Sequence, residues 1–348
     1  MFLDSIWIYE DNTVKKLFLL ICVIVLYASI LSACATDASD LLVTENSSVP
    51  VSVGVLKGPT AIGIVQFMDE ADNGRITTNK YSFDIAGSVV EIIPRIVKGT
   101  LDIAAVPANL SSVLYNNTQG AVQVLAINTL GMIYIVEAND TISSVEDLRG
   151  KTILASGKGA PQEFALNYIL SSNGIDPERD FNIEWKSEHT EVVTSLLTRT
   201  NSIALLPQPF VTTAQMLNEN IRVAIDLNEE WDNTQQAHDA PSALIMSVMI
   251  ARADFVRQNP QVISDFLDHY AISVEFVNNN VNEAAALVGQ YGIVPEAVAQ
   301  RAIPYCNITF IEGHGLKEKL SGYLRVLYEQ NPQSVGGALP SDEFYFSR

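Results

Sequence analysis

Cysteine is scarce in this chain, with three in 348 residues. Cys22 lies inside the one long apolar run, Cys34 lies just after it, and Cys306 is the single cysteine of the remaining chain. The body therefore has no pair from which to build an internal disulfide. Positive charge is scarce too: 21 Lys and Arg face 40 Asp and Glu, for a formal net charge of −19. That balance excludes a phosphate-tracking nucleic-acid binder, which needs a basic face. The four histidines, His189, His238, His269 and His314, share no metal-ligand spacing. There is no G-x-S-x-G nucleophile elbow and no phosphate-binding P-loop. After residue 34 no apolar run approaches the ~20 residues that span a bilayer. The composition thus points away from catalysis by these motifs, and no cofactor or metal is expected.

The chain does have an N-terminal export pattern. Lys15 and Lys16 precede an apolar stretch, Leu17–Ile30, that is too short to cross a membrane comfortably. It closes on Leu31-Ser32-Ala33-Cys34, which resembles the bacterial lipobox. That resemblance implies cleavage before Cys34 and a diacylglyceryl group on its thiol, enough acyl chain for stable anchoring. Asp4, Glu10 and Asp11 put the wrong charge ahead of the lysines, so Val14 reads as the natural start and 1–13 as a mis-called extension. Residues 1–33 are expected to be a signal peptide. Residues 34–50, small and polar, are expected to be a flexible tether.

From Val51 the texture changes to alternation of strands and helices. Strand patterns at Val51–Val55, Tyr81–Ala86, Leu101–Val106 and Val122–Ile127 are separated by helical spacing at Ile64–Ala71, Val89–Val97 and from Asn109. Met132–Val136 reads as an extended crossing. A second round of alternation has strands at Lys151–Ala155, Phe181–Trp185, Ser202–Leu206 and Ile221–Ile225, with helices at Pro161–Asn173, Glu191–Thr198 and Pro209–Leu217. Ala243–Ile250 is apolar and extended and could cross back. Helices at Asp254–Asn278, Val281–Tyr291, Pro295–Ala302 and Glu312–Glu329 complete the chain. The expected fold is α/β with two lobes, each a mixed, mostly parallel sheet flanked by helices, two hinge crossings and a helical C-terminal tail. Lobe 1 is expected to hold residues 51–135 and 243–348, and lobe 2 residues 136–242.

The strand-to-helix junctions share one chemistry. They are Gly58-Pro59-Thr60, Pro107-Ala108-Asn109, Ser156-Gly157-Lys158-Gly159-Ala160-Pro161 and Leu206-Pro207-Gln208-Pro209. Thr60 and Asn109 suit N-caps, and Pro161 and Pro209 suit first helical positions. Each junction offers free N–H groups and the positive end of a helix dipole. In open α/β sheets ligands bind beyond the carboxyl ends of the strands.

At these segments the chain resembles the substrate-binding lipoproteins of bacterial ABC importers, in the nitrate/sulfonate/taurine-type branch with the type 2 periplasmic-binding fold. The resemblance runs from about Val51 to Phe310. It rests on VSVGVLKGPTAIGIVQFM, GTLDIAAVPANLSSVLY, SVEDLRGKTILASGKGAPQEFALNYIL and SIALLPQPFVTTA. It implies two hinged lobes that close on a small solute and deliver it to a permease powered by separate ATPase subunits. It implies ligand contacts at Gly58, Pro59, Thr60, Asn109, Gly159, Ala160, Gln208 and Pro209, with Gly87, Ser88 and Lys158 as additions. None of these loops contains arginine. That points away from nitrate and toward sulfonates, pyrimidine thiamine precursors or other heteroaromatics. Stacking candidates are Trp185, Trp231, Tyr134 and Phe210, although core packing is the commoner role of such residues. The expected protein is monomeric, extracytoplasmic and tied to the membrane by its lipid, with no nucleic-acid partner. A lipid-anchored enzyme on the same fold, or a solute sensor or adhesin lobe, are the other readings of the same pattern.

Overall fold

A computed structural model describes residues 48–236 and 242–348. The expected signal peptide, Cys34 and nearly all of the tether lie outside the described residues, as does His238. Ser48–Arg348 is a compact unit with its own apolar cores.

Eleven strands among the described residues form two sheets. The first has the order β11-β4-β10-β3-β1-β2. Its strands are β1 (Pro50–Leu56), β2 (Lys80–Ala86), β3 (Ile103–Pro107), β4 (Val122–Leu130), β10 (Ile245–Arg252) and β11 (Ile308–Ile311). The second has the order β7-β6-β8-β5-β9. It contains β5 (Ile133–Glu137), β6 (Thr152–Ser156), β7 (Asn182–Lys186), β8 (Ile203–Pro207) and β9 (Arg222–Asp226). β1 pairs in parallel with β2 and β3, and β6 pairs in parallel with β7 and β8. β10 and β5 run against their neighbours. Val53, Val55, Ile103, Ala104, Ile153 and Ala204 are almost wholly buried, because strands covered by helices on both faces need apolar residues on both faces.

Helices α1 (Pro59–Gly63), α2 (Val65–Asp72), α3 (Val89–Val97) and α4 (Ala108–Asn117) flank the first sheet. The second carries α5 (Pro161–Ser172), α6 (His189–Thr198), α7 (Phe210–Leu217) and α8 (Leu227–Gln235). The chain ends with α9 (Ala253–Gln258), α10 (Pro260–Asn279), α11 (Val281–Gln290), α12 (Glu296–Ala302) and α13 (Gly313–Gln330).

Four sequence expectations need correction. Ile133–Val136 is no bare crossing; it is most of β5 and lies in the second sheet. The first passage between the sheets is therefore Gly131-Met132. A Cβ at Gly131 would strike the Asn228 side chain, so a larger residue there would have to displace it, and Asn307 Nδ2 donates to the Gly131 carbonyl. The helix expected over Asp254–Asn278 is two helices. Pro260 forces Asn259 out of helical geometry (φ −133°, ψ 54°). β11 and α8 are additions to the expected elements: β11 has four residues, and α8 (LNEEWDNTQ) buries only Leu227, Trp231 and Gln235.

One apolar cluster runs across both lobes, joining Ile96, Val106, Ile133, Leu166, Trp231 and Leu324. Trp231 packs on Tyr168 and Tyr323 with ring centroids 4.8 and 5.6 Å away. Its Nε1 donates to the Ser242 carbonyl, so Trp231 belongs to the core and leaves the set of stacking candidates.

After α13 the chain doubles back over lobe 1 as a strap, residues 331–346. Ser112 Oγ and Asn116 Nδ2 donate to the Val335 carbonyl, Tyr345 bridges to Val124, and Phe344 is fully buried against Tyr115. Phe344→Ala should cost about 3–5 kcal/mol, as large-to-small changes in packed cores do. Denaturant unfolding of the body, residues 48–348, measures this, with a lower midpoint at unchanged slope as the expected result.

Candidate functional site

The parallel strands decide where the loops meet. In the order β3-β1-β2, the carboxyl ends present Asn109, Gly58 and Gly87-Ser88 side by side. In the order β7-β6-β8, they present Glu188-His189, Lys158–Ala160 and Gln208-Pro209. Each set sits at the start of a helix.

The two sets touch. Asn109 Nδ2 donates to the Gly159 carbonyl of the other lobe at 3.1 Å and to the Ser334 carbonyl of the strap at 3.2 Å. Asn109 is 1% exposed. With both amide hydrogens taken by carbonyls, the orientation of the amide is fixed. Its Oδ1 is buried and has no hydrogen-bond partner among the described residues. Asn109 does not cap α4, as its side chain had suggested; Pro107 holds that position. Its side chain reaches out of the lobe instead.

Gly58 is the N-cap of α1, with φ 129°, and its carbonyl accepts from the Ala61 and Ile62 N–H groups. Pro59 is the first helical residue. Thr60 is therefore inside the helix, and its hydroxyl donates to the Leu56 carbonyl at 2.7 Å while accepting from the Leu56 N–H. That hydroxyl holds the loop shape. Ser88 is an exposed N-cap for α3. It accepts from Val90 N–H, and Glu91 accepts in return from Ser88 N–H at 3.0 Å, forming a capping box.

In lobe 2, Lys158 is exposed and makes no ion pair with the described residues. It sits between Gly157 and Gly159, both left-handed (φ 75° and 78°). At Gly157 the Gln162 amide also occupies the space a side chain would need. Ala160 is the N-cap of α5 and Pro161 takes the first helical position, as expected. Pro209 is one residue earlier than expected, at the N-cap of α7, after a cis Gln208-Pro209 bond. Gln208 is 4% exposed. Its carbonyl oxygen accepts from the Thr212 hydroxyl at 2.9 Å and from the Thr212 N–H, which leaves its N–H donors.

Sequence reasoning missed His189 and passed over Ser156. Ser156, at the end of β6, is 2% exposed, and its Oγ lies 2.6 Å from His189 Nδ1. Phe210 flanks the imidazole at 4.8 Å between centroids. Burial lowers the His189 pKa to about 4, so the ring is neutral at pH 7 and offers a hydrogen bond without a fixed charge. The signal was present: Lys186–His189 is a strand-to-helix junction like the others, but the apolar spacing starts that helix at Glu191.

A cavity of about 580 Å³ lies at the opposite edge of lobe 1, lined by Gly99, Gln119, Arg252 and Arg257 among others. Arg252 there faces Asp102 and Asp254, Lys98 and Arg257 also line the cavity, and it is lined by none of the junction residues. Among the described residues no group of His, Cys, Asp and Glu could hold a metal ion, and no helix is long and apolar enough to cross a membrane.

His189 predicts a pH dependence. The unfolded chain takes up a proton near the ordinary value of 6.5, and the folded chain only near 4. Stability contributed by neutral, buried His189 is present above pH 6.5 and is lost as pH falls toward 4. Unfolding midpoints measured from pH 7 to 4 should fall more steeply for the native chain than for His189→Gln.

Residues 77–234 match the sequence family described as the phosphonate periplasmic substrate-binding protein of ABC transporters. No curated protein sequence matches the chain. Its fold is similar to an ABC transporter protein from Parabacteroides distasonis, with TM-score 0.72 and 20% identity over 86% of this chain and 100% of that one. It is similar to the periplasmic aliphatic sulphonate binding protein SsuA from Escherichia coli, with TM-score 0.67 and 15% identity, covering 84% and 96%. It is also similar to the periplasmic nitrate-binding protein NrtA from Synechocystis PCC 6803, with TM-score 0.57 and 13% identity, covering 78% and 75%. The two-lobed α/β fold expected from the sequence is thus the fold found. The family likeness covers β2 to α8, and the solved structures extend the likeness in fold over the rest of the body.

Proposed function

We propose that the chain captures a small organic solute carrying an oxyanion group, of the phosphonate or sulfonate kind, in the cleft between its lobes. The observation that carries this reading is the meeting of Asn109 with Gly159, which brings two sets of helix N-termini to one place. Backbone N–H groups and helix dipoles favour an anion by about 0.3–1 kcal/mol each when exposed, and more when partly buried. The phosphonate-binding family match and the sulphonate-binding neighbour support the same class. Lys57 and Lys158 are the cations adjacent to these donors in sequence and add long-range attraction.

The ligand contacts in this reading are Gly58, Pro59, Thr60, Gly87, Ser88, Asn109, Lys158, Gly159, Ala160, Gln208 and Pro209, joined by Ser156 and His189. Thr60 contributes through loop shape, since its hydroxyl both donates and accepts within the loop, whereas Ser88 Oγ accepts from Val90 N–H and can still donate its own hydrogen. The lobes pivot at Gly131-Met132 and at the passage before Ile245. The solute gains contacts from both lobes only when they are closed, which shifts the population toward closure. A permease with ATPase subunits reads the closed outline and takes the solute.

The protein works as a monomer tethered by residues 34–50 to a lipid on Cys34. The lipobox pattern and the export signal ahead of it support this anchor. Phosphonates and sulfonates should raise the melting temperature of the body by ligand linkage and be recovered unchanged. Asn109→Ala and Gln208→Ala should each weaken binding about tenfold by titration calorimetry, the cost of one or two lost hydrogen bonds, while the fold persists. Unchanged affinity in both would move the site elsewhere. Cys34→Ser should abolish incorporation of labelled fatty acid and release the protein from the membrane fraction.

A further inference from the structure

The cavity of about 580 Å³ at the far edge of lobe 1 gathers cations. Lys98, Arg252 and Arg257 line it, with Asp254 as the one acid of its wall. The chain as a whole has 21 Lys and Arg against 40 Asp and Glu, so this local excess runs against the composition. Lys98 and Arg257 are exposed and make no ion pair with the described residues. Arg252 ends β10, and its side chain makes no hydrogen bond with the described residues, its buried Nε included. Its ion pairs are long: 3.5 Å from Nη2 to Asp102 Oδ1 and 3.4 Å from Nε to Asp254 Oδ1. Both carboxylates have closer partners. Asp102 Oδ2 accepts from the Ser52 N–H at 2.9 Å and from its hydroxyl at 2.7 Å, and Asp254 Oδ1 accepts from the Phe255 N–H at 2.9 Å. A guanidinium carries five N–H donors in a rigid fork, and leaving them all without an acceptor is costly where they are partly buried.

Backbone geometry places this fork. Gly99 has φ 74°, and a Cβ there would fall on Arg252 Nη1, so the guanidinium lies directly over bare backbone. The Arg252 N–H donates to the Asp102 carbonyl, and the Asp102 N–H to the Ser52 carbonyl. That row crosses β10, β3 and β1 at the amino edge of the parallel strands, opposite the junction loops. We propose that this cavity is a second anion site, independent of the cleft, which takes a terminal phosphate group in the fork of Arg252. Such a group carries about 1.5–2 negative charges at pH 7 and three acceptor oxygens, which suits three cations. A carboxylate has one charge and two oxygens and leaves at least one cation unused. The space left over accommodates the rest of a phosphate monoester. A soluble phosphate and the headgroup of a phosphatidic acid present the same chemistry to Arg252.

The test uses residues 48–348, a compact unit with its own apolar cores, so that no acyl chain carries the protein to a membrane. Inorganic phosphate and glycerol 3-phosphate are titrated by calorimetry. Flotation is measured with phosphatidylcholine vesicles containing either phosphatidic acid or phosphatidylglycerol. Binding of the soluble phosphates assigns a free ligand, and flotation with phosphatidic acid but not phosphatidylglycerol assigns a headgroup; either result supports the site. Arg252→Gln should then weaken binding about tenfold or more, the effect of losing charge-assisted hydrogen bonds. Arg252→Lys, which keeps the charge and loses the fork, should fall in between. The double variant Lys98→Gln, Arg257→Gln alters only exposed side chains, should fold normally, and should also weaken binding about tenfold. Arg301→Gln removes an equal charge from an exposed position outside the cavity and should leave binding unchanged. No binding in either arm overturns the proposal and leaves solute capture in the cleft untouched. Binding that survives both Arg252→Gln and the double variant also overturns it, because the phosphate then sits in the cleft or elsewhere. An equal loss in Arg301→Gln overturns it as well, since only overall charge would be at work.

Discussion

A single amide, that of Asn109, ties three parts of this protein together. It stands on the first turn of α4, reaches the Gly159 carbonyl of lobe 2, and is shared with the Ser334 carbonyl of the C-terminal strap. Everything else in the site is arranged around that meeting. The parallel strands aim their helix N-termini at it, and the glycines of Gly157–Gly159 let the lobe 2 loop present a carbonyl rather than a side chain. The strap explains why Asn109 is held so firmly. Phe344 and Val335 anchor the strap in the apolar core of lobe 1, and the strap then presents Ser334 to the amide. Asn109 is thereby stiffened by a segment 225 residues away in the chain.

Charge plays a secondary part. The body is acidic, yet the junction loops carry no arginine and two exposed lysines, Lys57 and Lys158. An anion in this cleft would be held by neutral donors and oriented backbone dipoles, which act at short range and are screened less than surface charges. The neutral His189, wedged between Ser156 and Phe210, fits the same logic. Its burial keeps it uncharged, so its contribution to a ligand is a directional hydrogen bond.

Much of the architecture was legible because proline and glycine punctuate it. Pro161, Gly99 and Gly174 mark helix starts and ends within a residue or two of where they lie. The positions of the junction loops came from strand-to-helix alternation alone. The local roles of the residues in those loops did not. Thr60 and Asn109 have N-cap chemistry, but the caps are Gly58 and Pro107. Backbone geometry chose the cap, and the polar side chains were freed for other partners. β5 was hidden because an apolar extended segment reads the same whether it crosses between sheets or joins one. α8 was hidden because it has too few apolar residues for a period. His189 was hidden because the apolar spacing of its helix begins two residues later. The Asn109–Ser334 bond has no sequence signature, since nothing local records a contact made by the opposite end of the chain.

Interdomain distance is the most direct test of the clamp. Spin labels on cysteines placed at Val90 and Lys158, one on each side of the cleft and both exposed, would report it by pulsed electron resonance, with Cys306 buried and unreactive. Without solute, the distance distribution should include a longer, open population. A saturating phosphonate or sulfonate should collapse it to the shorter distance of the structure in which Asn109 meets Gly159. One unchanging distance in the presence of bound solute would contradict a hinged capture mechanism.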